Sequence, residues 1–198
     1  MSSENLNNGS VDLSLDKMRP SNRAIAHYGL LFMLWGWMSV LRFVLDLIEK
    51  YAYISITLRW VVEVFGYLLL IGWLAGTIYF LYRERTQKLT YFGLSLRFIW
   101  VSLLLSMSLV SIILANILHE VNFELQHPIL MVFISFAIVV SGGILRNKML
   151  VIGGIVFAMC AVVSSYLDLR DQLALEAVGW IAGFIIPGHL MYAKRNSK

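Results

Sequence analysis

The sequence predicts an all-α integral membrane protein, a bundle of six transmembrane helices with N and C termini both cytoplasmic, and three observations carry that expectation. The first is composition: 59% of the 198 residues are hydrophobic and 14% are charged, whereas roughly a quarter of a soluble domain is charged. The second is the recurrence of runs without a single charged side chain, at residues 24–41, 64–82, 98–118, 128–145, 149–167 and 177–193. At about 1.5 Å of rise per residue each approaches the length that crosses a hydrocarbon layer of about 30 Å. The third is the sign of the connections between these runs.

The run 64–82 sets the orientation, because it closes on Arg83, Glu84 and Arg85 with Lys88 just beyond, and Lys and Arg accumulate on the cytoplasmic side. Counting outward from that end, the segments expected inside hold Lys17, Arg19, Arg23, Arg83, Arg85, Lys88, Arg146, Lys148, Lys194, Arg195 and Lys198. Those expected outside hold only Lys50, Arg59 and Arg170. An even number of spans satisfies the charge rule in every connection. Backbone groups in lipid must be satisfied within their own segment, and the alternation of a barrel strand is absent, so the runs are expected to be helices.

The chain therefore divides into a polar cytoplasmic tail (1–23), a transmembrane domain (24–193) and a basic cytoplasmic C-terminus (194–198). The tail is rich in Ser, Asn and Gly and has no aromatic residue, too little apolar surface to fold alone. It is not read as a secretory signal, since a full span follows it and no small-residue cleavage site closes that span. In the first helix Arg42 and Asp46 stand four residues apart; near the start of the second, so do Arg59 and Glu63. A short connection brings these four charges to similar depth near the outer face, where they are read as an ion-pair network that settles polar side chains at the membrane edge, with a proton or cation relay as the alternative.

The second and sixth helices carry matching segments, Gly72-Trp73-Leu74-Ala75-Gly76 and Gly179-Trp180-Ile181-Ala182-Gly183. Small residues one turn apart let helix backbones approach, so these segments, with Gly142-Gly143 and Gly153-Gly154, are read as packing faces, within the bundle or in a homo-oligomer. The fourth and fifth runs are joined by Arg146-Asn147-Lys148 alone, which requires a tight hairpin. In the last run Pro187 removes one ladder donor and frees the carbonyl of Gly183, a kink near the basic end beside His189.

Three tryptophans, Trp35, Trp73 and Trp100, each fall about ten residues, hence about 15 Å, from the cytoplasmic end of their helices. Indoles are usually interfacial, so an aromatic layer near the midplane is read either as bulky packing or as the wall of a ligand pocket. Arg97 lies inside the third span one turn from Trp100, at a depth where a cation costs about 2.5–3.5 kcal/mol. Its side chain either snorkels to the interface or holds an anionic group beside the indoles. Arg97, Trp100, Trp35 and Trp73 are thus the candidate ligand-binding residues.

His119, Glu120, Glu124 and His127 gather metal-ligand chemistry in the third connection, but their spacing fits no zinc motif, and a solvated acidic face is the plainer reading. No metal or cofactor is expected, and no catalytic residue is assigned: Gly-x-Ser-x-Gly, a phosphate loop and His-Glu-x-x-His are all absent from the sequence. The net charge of +4 serves topology and attraction to anionic lipid, so the expected partners are the lipid bilayer and a cytoplasmic protein, not nucleic acid. The single cysteine, Cys160, is read as a small buried hydrophobe.

Leu34-Trp35-Gly36-Trp37, the two Gly-Gly pairs and Ile185-Ile186-Pro187-Gly188-His189-Leu190 resemble a group of small six-helix proteins of the bacterial inner membrane. The resemblance implies a bacterial protein of that architecture and location, and no activity. His189 stands where a tyrosine is expected after Pro-Gly. Three functions compete: first a non-enzymatic sensing, regulatory or scaffold role exercised through a partner, second a carrier of a small molecule or ion with its site at Arg97 and the tryptophan layer, and third a lipid-modifying enzyme.

Overall fold

The computed structural model describes residues 22–51, 55–85, 91–119 and 122–193; tail residues 1–21, Lys88, Glu120 and residues 194–198 lie outside the described residues. The described chain forms six helices: α1 (Asn22–Tyr51), α2 (Ile56–Arg85), α3 (Tyr91–Leu118), α4 (Phe123–Ile144), α5 (Lys148–Ser164) and α6 (Leu169–Ala193). All but α5 are long and apolar enough to cross a membrane. Helix α5 has 17 residues, the lower limit for a span. It stops short of the apolar run because Ser165 turns its hydroxyl back onto the carbonyl of Val162 at 2.7 Å, the local bonding by which serine competes with a helix ladder.

Helix α6 departs further from expectation. It begins at Leu169, eight residues before the charge-free run at Ala177, and so takes Gln172 and Glu176 into the bundle. Asp168 supplies an extended N-terminal flank and Asp171 sits in the first turn, where a carboxylate complements the helix dipole. Ahead of Pro187 the helix widens into a π-turn over Ile181–Ile185, closed by the Ile186 N–H donating to the Ile181 carbonyl. The extra residue pushes Phe184 into the centre of the bundle, where it is fully buried.

The α4–α5 hairpin is closed by Arg146, at φ +50°. The Asn147 N–H reaches the Gly142 carbonyl at 2.9 Å and the Arg146 N–H reaches that of Gly143 at 3.2 Å, the paired bonds of a Schellman motif. Asn147 then caps α5 by accepting from the Met149 N–H at 3.0 Å. Backbones touch where glycine permits it. A β-carbon on Gly142 would lie 2.8 Å from the Val151 nitrogen, one on Gly29 2.8 Å from the Gly188 carbonyl oxygen and one on Gly153 2.5 Å from the Ala182 carbonyl oxygen, so α4–α5, α1–α6 and α5–α6 are close-packed pairs. Of the two matching Gly-Trp segments, Gly179 and Gly183 pack under Phe157, Gly76 packs under Leu34, and Gly72 meets only the tip of Met38.

Helix α6 lies against α1, α4 and α5, and this group holds most of the buried core, including Met131, Ile138, Leu150, Phe157 and Met191. Helix α2 rests on α1 and α3 on α4, while α2 and α3 stand apart from each other. Their outer faces are bare and apolar, with Tyr67, Ile71, Phe98 and Leu105 among many exposed side chains. So extensive an apolar surface suits lipid rather than water.

Candidate functional site

The gap between α2 and α3 is a cavity of about 470 Å³. Its wall contains Trp35 from α1, Trp73 and Thr77 from α2, and Arg97 and Trp100 from α3. The structure thus brings together the four residues singled out in the sequence. Trp35 is the hub: its ring centroid lies 4.7 Å from that of Trp100, perpendicular to it, and 5.5 Å from that of Trp73. The Trp35 indole N–H donates to Thr77 Oγ1 at 3.0 Å, and that hydroxyl donates to the Trp73 carbonyl at 2.8 Å. With its polar edge satisfied, the indole offers the cavity its apolar face. Apart from Arg97 and Thr77 the wall is almost wholly apolar or aromatic, with Leu31, Phe32, Leu96 and Leu104 completing it.

The aromatic layer continues through the core. Trp100 lies 5.9 Å from Phe184, which is 4.3 Å from Trp180, the indole of the second Gly-Trp segment. Trp180 donates to Glu176 Oε1 at 3.2 Å. Glu176 Oε2 lies 2.8 Å from His127 Nδ1, with 7% of the Glu176 side chain and 23% of the His127 side chain exposed. Among the described residues Glu176 Oε2 has no hydrogen-bond partner beyond this contact. Gln172, one turn earlier, donates to the carbonyls of Glu124 at 3.1 Å and Leu167 at 2.9 Å, tying the start of α6 to α4.

Glu176 is a functional candidate that the sequence analysis does not single out, because it lies one residue ahead of the last charge-free run. Two signals were available: the Glu176 to Trp180 spacing of four, and a histidine at the same end of α4. His127 itself turns inward to Glu176, away from the company proposed for it. Glu124 is exposed in the first turn of α4, and His119 ends α3, exposed and at φ +55°. Among the described residues no three His, Cys, Asp or Glu side chains converge as metal ligands.

The outer charges meet in part. Arg42 and Asp46 pair at 2.7 Å, and the Arg42 guanidinium lies over Gly66 of α2. Asp46, Glu49, Arg59 and His127 surround a second cavity, a polar chamber of about 550 Å³ at the end of the bundle where α1 finishes and α2, α4 and α6 begin. Glu63 is half-buried on α2 and does not line this chamber.

No protein-family model matches the chain, and no curated protein or solved structure is found to be similar to it.

Proposed function

We propose that this is a small carrier in the bacterial inner membrane that takes up an amphiphile with an acidic headgroup, its apolar body lying among Trp35, Trp73 and Trp100 and its headgroup at Arg97. The observation that carries the reading is the cavity itself, which has the volume of a small-molecule site and is apolar save for a few polar groups. It lies where α2 and α3 stand apart, so a ligand enters from the side, out of the lipid. A guanidinium at the edge of an apolar pocket selects a carboxylate or phosphate. A buried catalytic constellation is not needed for binding or movement, and the reading is non-enzymatic.

The topology that accompanies this reading has six spans and both termini in the cytoplasm. Arg83, Arg85, Arg146 and Lys148 then lie inside, and Arg59 and Arg170 outside. Helix α5 spans at the limit of length with Arg146 and Lys148 at its cytoplasmic end.

The test is a fluorescence titration of the full chain in nanodiscs with single-chain amphiphiles that differ only in headgroup: a fatty acid, the matching alcohol and the matching alkylammonium. The expected result is a saturable change with the acid and a loss of affinity of tenfold or more in Arg97→Gln, since a hydrogen bond to a charged group contributes about 1.5–3 kcal/mol. Proteoliposomes should then move the acid faster than protein-free vesicles. Equal response to all three headgroups, or an unchanged affinity in Arg97→Gln, overturns the site; binding without flux overturns the carrier.

A further inference from the structure

We propose that His127 and Glu176 form a proton-binding site inside the bundle, reached through the chamber lined by Asp46, Glu49 and Arg59. Glu176 lies seven residues into α6, about 10 Å along its axis, and its side chain is almost wholly enclosed. An ionisable pair at such a place is a poor source of stability, because desolvation offsets the attraction and an apolar pair would serve the fold as well. Ionisable groups within spans instead mark ion pathways and proton relays.

The arrangement has the parts of a relay in order. His127 lines the chamber and Glu176 does not, so the imidazole stands between the chamber and the carboxylate. On the carboxylate, Oε1 accepts from Trp180 while Oε2 faces the imidazole and has no other hydrogen-bond partner among the described residues. That oxygen is the place for a proton.

The charged groups that α1 and α2 place around the chamber balance one another. Helix α1 contributes Arg42 paired with Asp46, and Glu49; α2 contributes Arg59. These four cancel. Helix α4 adds Glu124 and α6 adds Arg170 and Asp171, all exposed, and α5 has no charged residue at this end. With a neutral imidazole and an ionised carboxylate the pair therefore carries one negative charge. Uptake of one proton from the chamber, passed by way of His127 to Glu176 Oε2, cancels it. A metal ion is a poorer fit, since a hard cation needs six or more oxygen ligands and no three acidic or imidazole groups converge among the described residues.

The experiment is pH-difference infrared spectroscopy of the full chain in nanodiscs, with proton uptake counted by an indicator dye. Acidification of the wild type should produce a carboxylic-acid carbonyl band and an uptake that exceeds that of Glu176→Gln by one proton per chain. The band should be absent in Glu176→Gln and retained in Glu124→Gln. Trp180→Phe, which removes the donor to Oε1, should shift the band without abolishing it, and this variant decides the matter if Glu176→Gln does not fold. Persistence of the band in Glu176→Gln, or an unshifted band in Trp180→Phe, overturns the assignment. Arg97→Gln should leave band and uptake unchanged, so the proton site stands or falls independently of the ligand cavity.

Discussion

The Trp35 indole and the Thr77 hydroxyl are joined across 3.0 Å, and through this bond α2 holds the polar edge of the central tryptophan of α1. The contact sits in the wall of the aromatic cavity and sets the angle at which Trp35 faces Trp73 and Trp100. Thr77→Val keeps the shape of the side chain and removes the acceptor. It leaves the indole N–H without its partner, a loss of about 1–3 kcal/mol. Thermal unfolding in nanodiscs should fall accordingly, and the tryptophan emission of the folded protein should change because the ring is released.

Close helix packing predicts opposite outcomes for two glycines. A β-carbon on Gly29 would meet the Gly188 carbonyl oxygen at 2.8 Å and the Met191 β-carbon at 2.8 Å, so Gly29→Ala must spread α1 from α6. Overpacking of this kind costs about 1–3 kcal/mol. Gly143 has open space around its β-position, and Gly143→Ala should be neutral or stabilise by up to about 1 kcal/mol, through the lower entropy of the unfolded chain. Paired unfolding curves of the two variants check both signs; a tolerant Gly29→Ala would show that α1 and α6 are less closely joined than described.

The hairpin between α4 and α5 turns on a residue without glycine's freedom. Arg146 holds φ at +50°, a left-handed conformation that costs an L-residue about 1–2 kcal/mol. Arg146→Gly should therefore raise unfolding stability by about 1 kcal/mol. The same change removes a charge that the proposed topology assigns to the cytoplasmic side. A double variant, Arg146→Gly with Lys148→Gln, should retain the stability gain while weakening the bias of orientation, which reporter fusions to the hairpin would register.

The long helices were legible from the chain because lipid and backbone chemistry leave a charge-free run few alternatives: runs 24–41, 64–82 and 98–118 lie within α1, α2 and α3. The level of Trp35, Trp73 and Trp100 was legible too, since a helix advances by a constant rise and depth can be counted along it. What counting along one helix does not provide is rotation about its axis and the identity of its neighbours. Those depend on which small residues from different helices meet. Gly29 against Gly188, which draws α1 onto α6, belongs to neither of the Gly-x-x-x-Gly segments that stood out in the sequence.

Composition and charge placement, read alone, determined an all-helical chain with helices long and apolar enough to cross a membrane and the common level of its three tryptophans, because each of these is set residue by residue along a helix of constant rise. Tertiary structure decided that α2 and α3 part to leave a cavity at Arg97 and the tryptophans. It also decided that His127 turns to Glu176 across fifty residues of chain. Both arise from contacts between helices, where backbone approach at glycine and the π-turn at Ile181–Ile185 select one rotation and register among many that the apolar pattern would equally allow.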